Sequence, residues 1–313
     1  MTTAARDNTQ ARITTRPRPL INEYALTAAL FLLPTFAFLF IFVLWPIVDS
    51  FRLSLYKWNG VDPNLTFLGV DNWTRLAKDS VFWRALRNNF IIVFLSIIIQ
   101  LPVGLALAVL LDTGGRMFRF FKVIYFLPLL LSTVAIGILF KYIYDPYFGI
   151  INATLEAVGL QSLTQAWLSN PRIALFSVIA VICWQYIPFY MVLFLASLTG
   201  IPQELREAAY IDGATENTYF WRVVLPLLRG SIITAATLSL IGSLKYFDLI
   251  WVMTEGGPVN ATELMATYMY KKAFNSFEMG YGATIASALF IVVLVTALTV
   301  YFPLQRREED IAG

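Results

Sequence analysis

The sequence predicts an all-α membrane protein of six transmembrane helices, and three observations support this. Hydrophobic residues make up 58% of the chain and charged residues only 14%, against roughly 25% charged in ordinary soluble domains. Six apolar runs, at 25–48, 89–111, 123–144, 173–198, 229–252 and 283–304, are each long enough to cross a hydrocarbon core of about 30 Å as a helix. Most of the charge falls between the runs, and a backbone in lipid closes its hydrogen bonds only as a helix or a barrel. One membrane domain over 25–304 follows, with polar tails at 1–24 and 305–313.

The first run is preceded by Arg6, Arg12, Arg16 and Arg18, and positive charge next to a span stays cytoplasmic. The run is longer than a signal-peptide core and no small-residue cleavage site follows it, so it reads as a retained anchor. An even number of spans puts both ends on one side. Arg306 and Arg307 near the C-terminus then make that side cytoplasmic. The first external loop, 49–88, holds Arg52, Lys57, Arg75, Lys78, Arg84 and Arg87 against this rule, which long loops obey poorly. Turn signals at Gly60 and Pro63 make that loop a folded cap with a short interfacial helix near 79–89. The alternative is an aromatic belt of Trp58, Trp73 and Trp83 at the lipid surface. Asn64, Asn72, Asn152 and Asn260 head N-x-T triplets in external stretches, a pattern too common by chance to carry weight.

Composition also excludes whole classes of function. There is no histidine, and Cys183 is the only cysteine, which removes disulfide frameworks, zinc clusters and Ser-His-Asp sites. The net charge of +3 is dispersed, unlike the clustered basic face of a nucleic-acid binder. No Walker phosphate loop occurs, so any use of ATP belongs to another chain.

The loop between the fourth and fifth runs, 200–227, is charged and rich in small residues. Ile201-Pro202-Gln203-Glu204 reads as a helix start, with proline in the first turn and acid at the positive dipole end. The helix runs to about Asp212 and stops at Gly213, because glycine takes the left-handed conformation at low cost. Thr215 caps a second helix through Trp221 and Arg222, and Pro226 marks the start of the fifth span. Ala208 and Ala209 beside Glu207 form a small, approachable face. A helix lying on headgroups shows Lys and Arg on its polar face. Here Glu204, Glu207, Asp212 and Glu216 outweigh Arg206 and Arg222, which favours a protein partner.

These residues carry a family resemblance. Glu207-Ala208-Ala209, then Gly213, Val223 and Leu225-Pro226 match the signature loop of permease subunits of binding-protein-dependent ABC importers. Val223, where isoleucine is usual, is the one departure. The variant Asp212-Gly213-Ala214 resembles the carbohydrate-uptake branch. The stretch YFDLIWVMTEGGPVNAT from Tyr246, Ala273-Phe274, MGYGA from Met279, and the turn residues Gly149, Asn152 and Gly159 resemble its first-permease group, of maltose and glycerol-phosphate type. The resemblance implies the type I ABC importer permease fold and a non-catalytic subunit. It also implies a second homologous permease, two ATP-binding subunits that hold ATP and Mg, and an extracytoplasmic binding protein that delivers a carbohydrate. The loop would be a coupling helix docked on an ATPase subunit, with Glu207, Ala208, Ala209, Asp212, Gly213, Leu225 and Pro226 in contact or shaping the turn.

Polar groups inside spans are costly and tend to face a cavity or one another. In the fifth run Ser239, Ser243 and Tyr246 are spaced to share a helix face. In the fourth, Gln185, Tyr186 and Phe189 surround Pro188, with Trp184 before them, and Pro188 marks an expected kink. Aromatic faces and hydroxyl or amide partners suit a sugar. In maltose-type relatives the two spans flanking the signature loop supply the sugar cradle, which places Gln185, Tyr186, Phe189, Ser239, Ser243 and Tyr246 as substrate-binding residues; ordinary helix packing is the other reading. Lys245 and Asp248 either neutralise one another or form the relay of a proton-coupled carrier. A glycerol-phosphate importer of the same group and a membrane-embedded glycosyltransferase are further alternatives. The second lacks a compact acid cluster outside the loop.

Overall fold

The computed structural model describes residues 23–112 and 116–312. The arginine-bearing tail that orients the topology lies outside the described residues. The chain divides into two units, Met1–Asp49 and Ser50–Gly313. Four helices are long and apolar enough to cross a membrane: Thr27–Leu53, Ser80–Asp112, Ala174–Thr199 and Met279–Val300. Two bent pairs bring the number to six if each is one span, namely Phe120–Leu130 with Thr133–Ile143, and Glu216–Leu227 with Arg229–Leu244.

In the first unit, the helix Glu23–Leu39 accommodates Pro34 and continues through a π-type turn at Phe40–Leu44. In the second unit, the chain after that span folds into a cap. Tyr56–Lys57 and Thr66–Phe67 form a two-stranded antiparallel ribbon, with Tyr56 opposite Phe67 and Lys57 opposite Thr66, and the helix Asp71–Lys78 follows. Each tryptophan of the expected belt donates its indole N–H within the cap: Trp58 to the Asp62 carbonyl, Trp73 to Ser54 Oγ, and Trp83 to the Ala77 carbonyl. Asn72 is buried and donates to the carbonyls of Ser54 and Tyr56.

The separate interfacial helix expected near 79–89 is instead the start of the second span. Ser80–Asp112 is one helix of 33 residues, about 50 Å long. Asp79 Oδ1 accepts from the N–H groups of Val81 and Phe82, which satisfies two of the donors a helix start leaves open. Phe82 and Ala85 pack with Leu76, Met265, Tyr281 and Ile285, so the amphipathic first turns of this helix are carried by long-range packing. The second span also packs along the fourth, Ala174–Thr199. A β-carbon on Gly104 would lie 2.9 Å from Tyr190 Cβ and 3.1 Å from Met191 N, so only glycine permits this approach. The fourth span continues as one helix through Pro188.

The third and fifth runs depart further from expectation. The helix Arg116–Leu130 is followed by Thr133–Ile143, and Phe120–Leu130 meets the latter at 96° where a single span over 123–144 was expected. Pro128 removes a helical donor two residues before the break. The fifth run is a helix, Arg229–Leu244, a break at Lys245–Phe247, and a second helix, Asp248–Thr254, in place of one rod over 229–252. After it comes the loop to Leu264, the helix Met265–Tyr270, and the long last helix Met279–Ala312. Asn152, from the expected G-x-x-N turn, organises the loop after the third span. Its Nδ2 donates to the carbonyls of Pro146 and Gln165, and its Oδ1 accepts from Gln165 N and Trp167 Nε1.

Outside the spans, Asp79 Oδ2 accepts from both Tyr268 Oη at 2.5 Å and Tyr281 Oη at 2.6 Å. Arg75 lies 3.9 Å over the Tyr281 ring and pairs with Glu278. Burial pushes the Asp79 carboxyl up, but the two tyrosine hydroxyls and the N–H groups of Val81 and Phe82 outweigh it and hold the group below the usual range. Burial first, and then the hydrogen bond to that carboxylate, push Tyr268 well above the ordinary tyrosine value.

Candidate functional site

The loop at 200–227 forms an elbow. Gln203–Ile211 is a helix that starts behind Pro202. At its end Gly213 has φ +81°; its N–H donates to the Tyr210 carbonyl and the Ala214 N–H to the Ala209 carbonyl. This pair of bonds is the Schellman closure. Thr215 caps the next helix, Glu216–Tyr219, by accepting from the Thr218 N–H, and the chain continues through Phe220–Val224 and Leu225–Leu227 before bending 63° into Arg229–Leu244. Arg206 ties the two helices together, donating to Glu216 Oε1 at 2.8 Å and to Tyr210 Oη at 3.3 Å.

Tyr219, Val224 and Leu228 are buried with Leu101, Leu111, Phe194 and Leu198 of the second and fourth spans, so the root of the elbow is seated in the bundle. Its tip is free. Glu207, Ala208, Asp212, Gly213 and Pro226 are exposed, Leu225 is half-buried, and Ala209 turns inward to pack on the bundle. Glu207 Oε1 accepts from Gln203 Nε2. Sequence reasoning missed Ile211, 87% exposed, and Trp221, 59% exposed. These are large apolar groups on a surface read for its small residues and charges.

The second feature is a cleft of about 380 Å³ at the break in the fifth run. Four of the six expected cradle residues line it: Tyr186 and Phe189 from the fourth span, Ser239 from Arg229–Leu244, and Tyr246 from the break. The Tyr186 and Tyr246 rings meet edge to face at 5.7 Å. Gln185 is buried behind this wall and donates to Oγ1 of Thr133, itself a lining residue, at 3.3 Å. Ser243 is buried and does not line the cleft. The expected single face of Ser239, Ser243 and Tyr246 fails because helical register ends at Leu244. Tyr190, Leu238, Gly242, Phe247 and Leu249 also line it.

Two buried oxygens here, Ser239 Oγ and Gln185 Oε1 behind the wall, make no hydrogen bond of normal geometry, although Ser239 lies within reach of the Tyr190 hydroxyl. Lys245 and Asp248 both line the cleft and are exposed, yet no ion pair joins them. Their expected mutual neutralisation is not made, since the chain turns out of helix between them. Among the described residues, no group of acidic, histidine or cysteine side chains could hold a metal ion. Cys183 is buried and accepts from Gln100 Nε2 at 3.8 Å.

Comparison with known proteins identifies the architecture. A probable ABC transporter permease protein of Bacillus subtilis, YurN, is 37% identical over 281 residues, covering 89% of this chain and 96% of its own. The lactose transport system permease protein LacF of Rhizobium radiobacter is 33% identical over 299 residues, covering 94% and 99%. The crystal structure of a bacterial ABC transporter involved in import of the acidic polysaccharide alginate matches in fold with a TM-score of 0.79 at 22% identity, over 90% of this chain and 96% of that one. Residues 100–307 match the model of the binding-protein-dependent transport system inner membrane component, and the chain belongs to that family of ABC transporter permeases.

Proposed function

We propose that this permease, paired with a second homologous permease, forms the path of a carbohydrate that an extracytoplasmic binding protein delivers. Two ATP-binding subunits, holding ATP and Mg, would drive it through the elbow. The observation that carries this reading is the cleft at the break of the fifth run. Rings of Tyr186, Phe189, Tyr246 and Phe247 surround polar groups of Ser239 and Thr133, with an unpartnered hydroxyl on Ser239. Rings pack on the C–H faces of a sugar, and free hydroxyl and amide oxygens take its O–H donors. The lactose permease named above supports a saccharide as the solute class.

The elbow supports the coupling role. It is seated on the bundle at its root, exposed at Glu207, Ala208, Asp212 and Gly213, and continuous through a single bend with the helix that carries Ser239. A groove moving on an ATPase would thereby displace one wall of the cleft. With an even number of spans, both termini would lie on the elbow's side of the prokaryotic cytoplasmic membrane. Lys245 and Asp248 together keep the cleft near neutral, which favours a neutral sugar over a phosphate ester.

The test is uptake of labelled disaccharides into proteoliposomes holding the full complex, with ATP inside and binding protein outside. Uptake that stops under vanadate, and fails in Glu207→Lys, is expected. Uptake driven by a proton gradient alone, indifferent to vanadate, would establish the proton-coupled alternative.

A further inference from the structure

We infer that Asn89 is a positioning residue for translocation: its buried carboxamide pins the outer end of the helix Arg229–Leu244 to the second span and makes that end the fulcrum on which the elbow turns the cleft wall. The inference rests on the ATP-driven importer reading above.

Asn89 is 0% exposed. Its Nδ2 donates to the Leu244 carbonyl at 3.1 Å, and its Oδ1 accepts from the Met265 N–H at 3.0 Å. Both partners are ends of helices. Leu244 is the last residue of Arg229–Leu244, and Met265 is the first of Met265–Tyr270. The last carbonyls of a helix and the first N–H groups of the next have no partner within their own helix. One side chain of the second span therefore closes the break in the fifth run and fixes where it falls. Leu244 is itself fully buried, packed with Val93 of the second span and Leu240. The neighbouring Asn88, also buried, acts elsewhere, since its Nδ2 donates to the carbonyls of Ala261 and Glu263 and holds the external loop.

The mechanical consequence follows from lengths. Arg229, beside the elbow, lies fifteen residues from Leu244, or about 22 Å along the helix, and Ser239 lies five residues from it, or about 7.5 Å. With Leu244 held, a displacement at Arg229 reaches Ser239 reduced roughly threefold. The cleft sits next to the fulcrum, where a large movement at the ATPase becomes a small, well-defined change beside the solute. Without the pin, the half-helix would translate as a whole and ATP-driven motion would be lost in the loop after it.

The variant Asn89→Asp separates this role from general support. An ionised carboxylate still accepts from the Met265 N–H but cannot donate to the Leu244 carbonyl; because burial favours the protonated acid, which can donate, Asn89→Leu, of similar size and with neither donor nor acceptor, is measured beside it. In the reconstituted complex with its binding protein, the ratio of solute moved to ATP hydrolysed is expected to fall roughly tenfold, while vanadate-sensitive hydrolysis persists. Asn88→Ala, which loosens only the loop, should keep the ratio within about twofold. A merely structural defect would lower transport and hydrolysis together and leave the ratio unmoved; a wild-type ratio in Asn89→Leu overturns the inference. Hydrogen exchange on the wild-type complex gives a test that needs no variant. Protection over 240–244 and at the Met265 amide should be the same in nucleotide-free and vanadate-trapped states, with changes confined to 229–236; loss of protection at 240–244 on trapping would overturn the fulcrum. A wild-type complex without ATP-driven uptake would overturn the importer reading itself, and the fulcrum with it.

Discussion

Gly213 offers the sharpest test of the elbow. Its φ of +81° costs an ordinary L-residue about 1–2 kcal/mol, and a β-carbon there would meet no atom of the chain within 4 Å. The penalty inside this subunit is therefore conformational strain alone, a factor of about 5–30 in population between the closed Schellman turn and a frayed one. Gly213→Val should insert and assemble, and should lose uptake by about that factor through loss of the turn. Gly213→Asn probes something else, since asparagine enters the left-handed region far more readily and keeps the turn. Its side chain fills the open space above the tip, where a docked ATPase would lie. Near-normal membrane levels with lost uptake and lost retention of the ATPase in detergent are expected for Gly213→Asn, and at least as much loss for Gly213→Asp, which adds a negative charge. Wild-type uptake and ATPase retention by Gly213→Asn would refute close docking at this residue, and wild-type uptake by all three variants would refute any role for the turn.

Three further predictions concern other parts of the molecule. Ser239→Ala removes a buried, unpartnered hydroxyl, so thermal stability should hold or rise while apparent affinity for solute falls about 2–10-fold, from roughly 0.5–1.5 kcal/mol for one hydrogen bond; unchanged affinity would exclude Ser239 from solute contact. The Asp79 cluster fixes a pH window. The carboxyl is lowered in the fold, so its contribution holds above about 3.9 and is lost as pH falls through the folded value, whereas Tyr268 is raised, so its contribution holds below about 10 and is lost as pH rises. Thermal scans in detergent should show both flanks for wild type, with the acid flank shifted in Asp79→Asn. Lys271→Met strands the Glu263 carboxylate, which is 0% exposed and lies 2.6 Å from Lys271 Nζ, at a cost near the low end of about 3–5 kcal/mol because Lys271 keeps some contact with solvent. Most of that loss in melting temperature should return in the double variant with Glu263→Gln.

How far the sequence speaks for the structure depends on which groups solve their own problems locally. The elbow was legible because proline, glycine and threonine act within a few residues of themselves, and the structure has a helix start after Pro202, a stop at Gly213 and a cap at Thr215. The apolar rods were legible because lipid permits little else. The start of the second span was not, since Ser80 to Asn89 is amphipathic and becomes helix through Phe82 and Ala85 packing on a cap that arrives from the other end of the chain. The break after Pro128 was hidden because membrane helices tolerate proline, and nothing in the surrounding leucines separates a kink from a corner. Ser243 was assigned to the cleft on the assumption of unbroken register, which fails at Lys245. Asn89 carries no local sign at all: its partner carbonyl lies 155 residues away.

The distribution of polar satisfaction bears on what the cleft is for. Outside it, with Ser96 as the exception among the described residues, the deeply buried polar side chains are served by the protein. Asn72, Asn88, Asn89 and Asn152 use their amides on backbone groups, and Glu263 is met by Thr267 and Lys271. Among the described residues, the buried oxygens left without a partner are those of Ser96, Gln185 and Ser239, on the second, fourth and fifth runs. Each costs about 1–3 kcal/mol by mutational standards, a penalty that alanine, valine or leucine would remove. A chain that satisfies a carboxylate at full burial and an asparagine across two helix ends has the means to satisfy a serine. Of the three, Ser239 lines the cleft beside rings suited to a sugar face, Gln185 lies behind that wall and Ser96 lies away from it; under the proposed function the Ser239 hydroxyl is the one a hydroxylated solute would meet. Under the proposed function, a site of this kind would bind through bonds the protein does not make for itself and would give up the solute once the wall moves, which is the behaviour a translocation path requires.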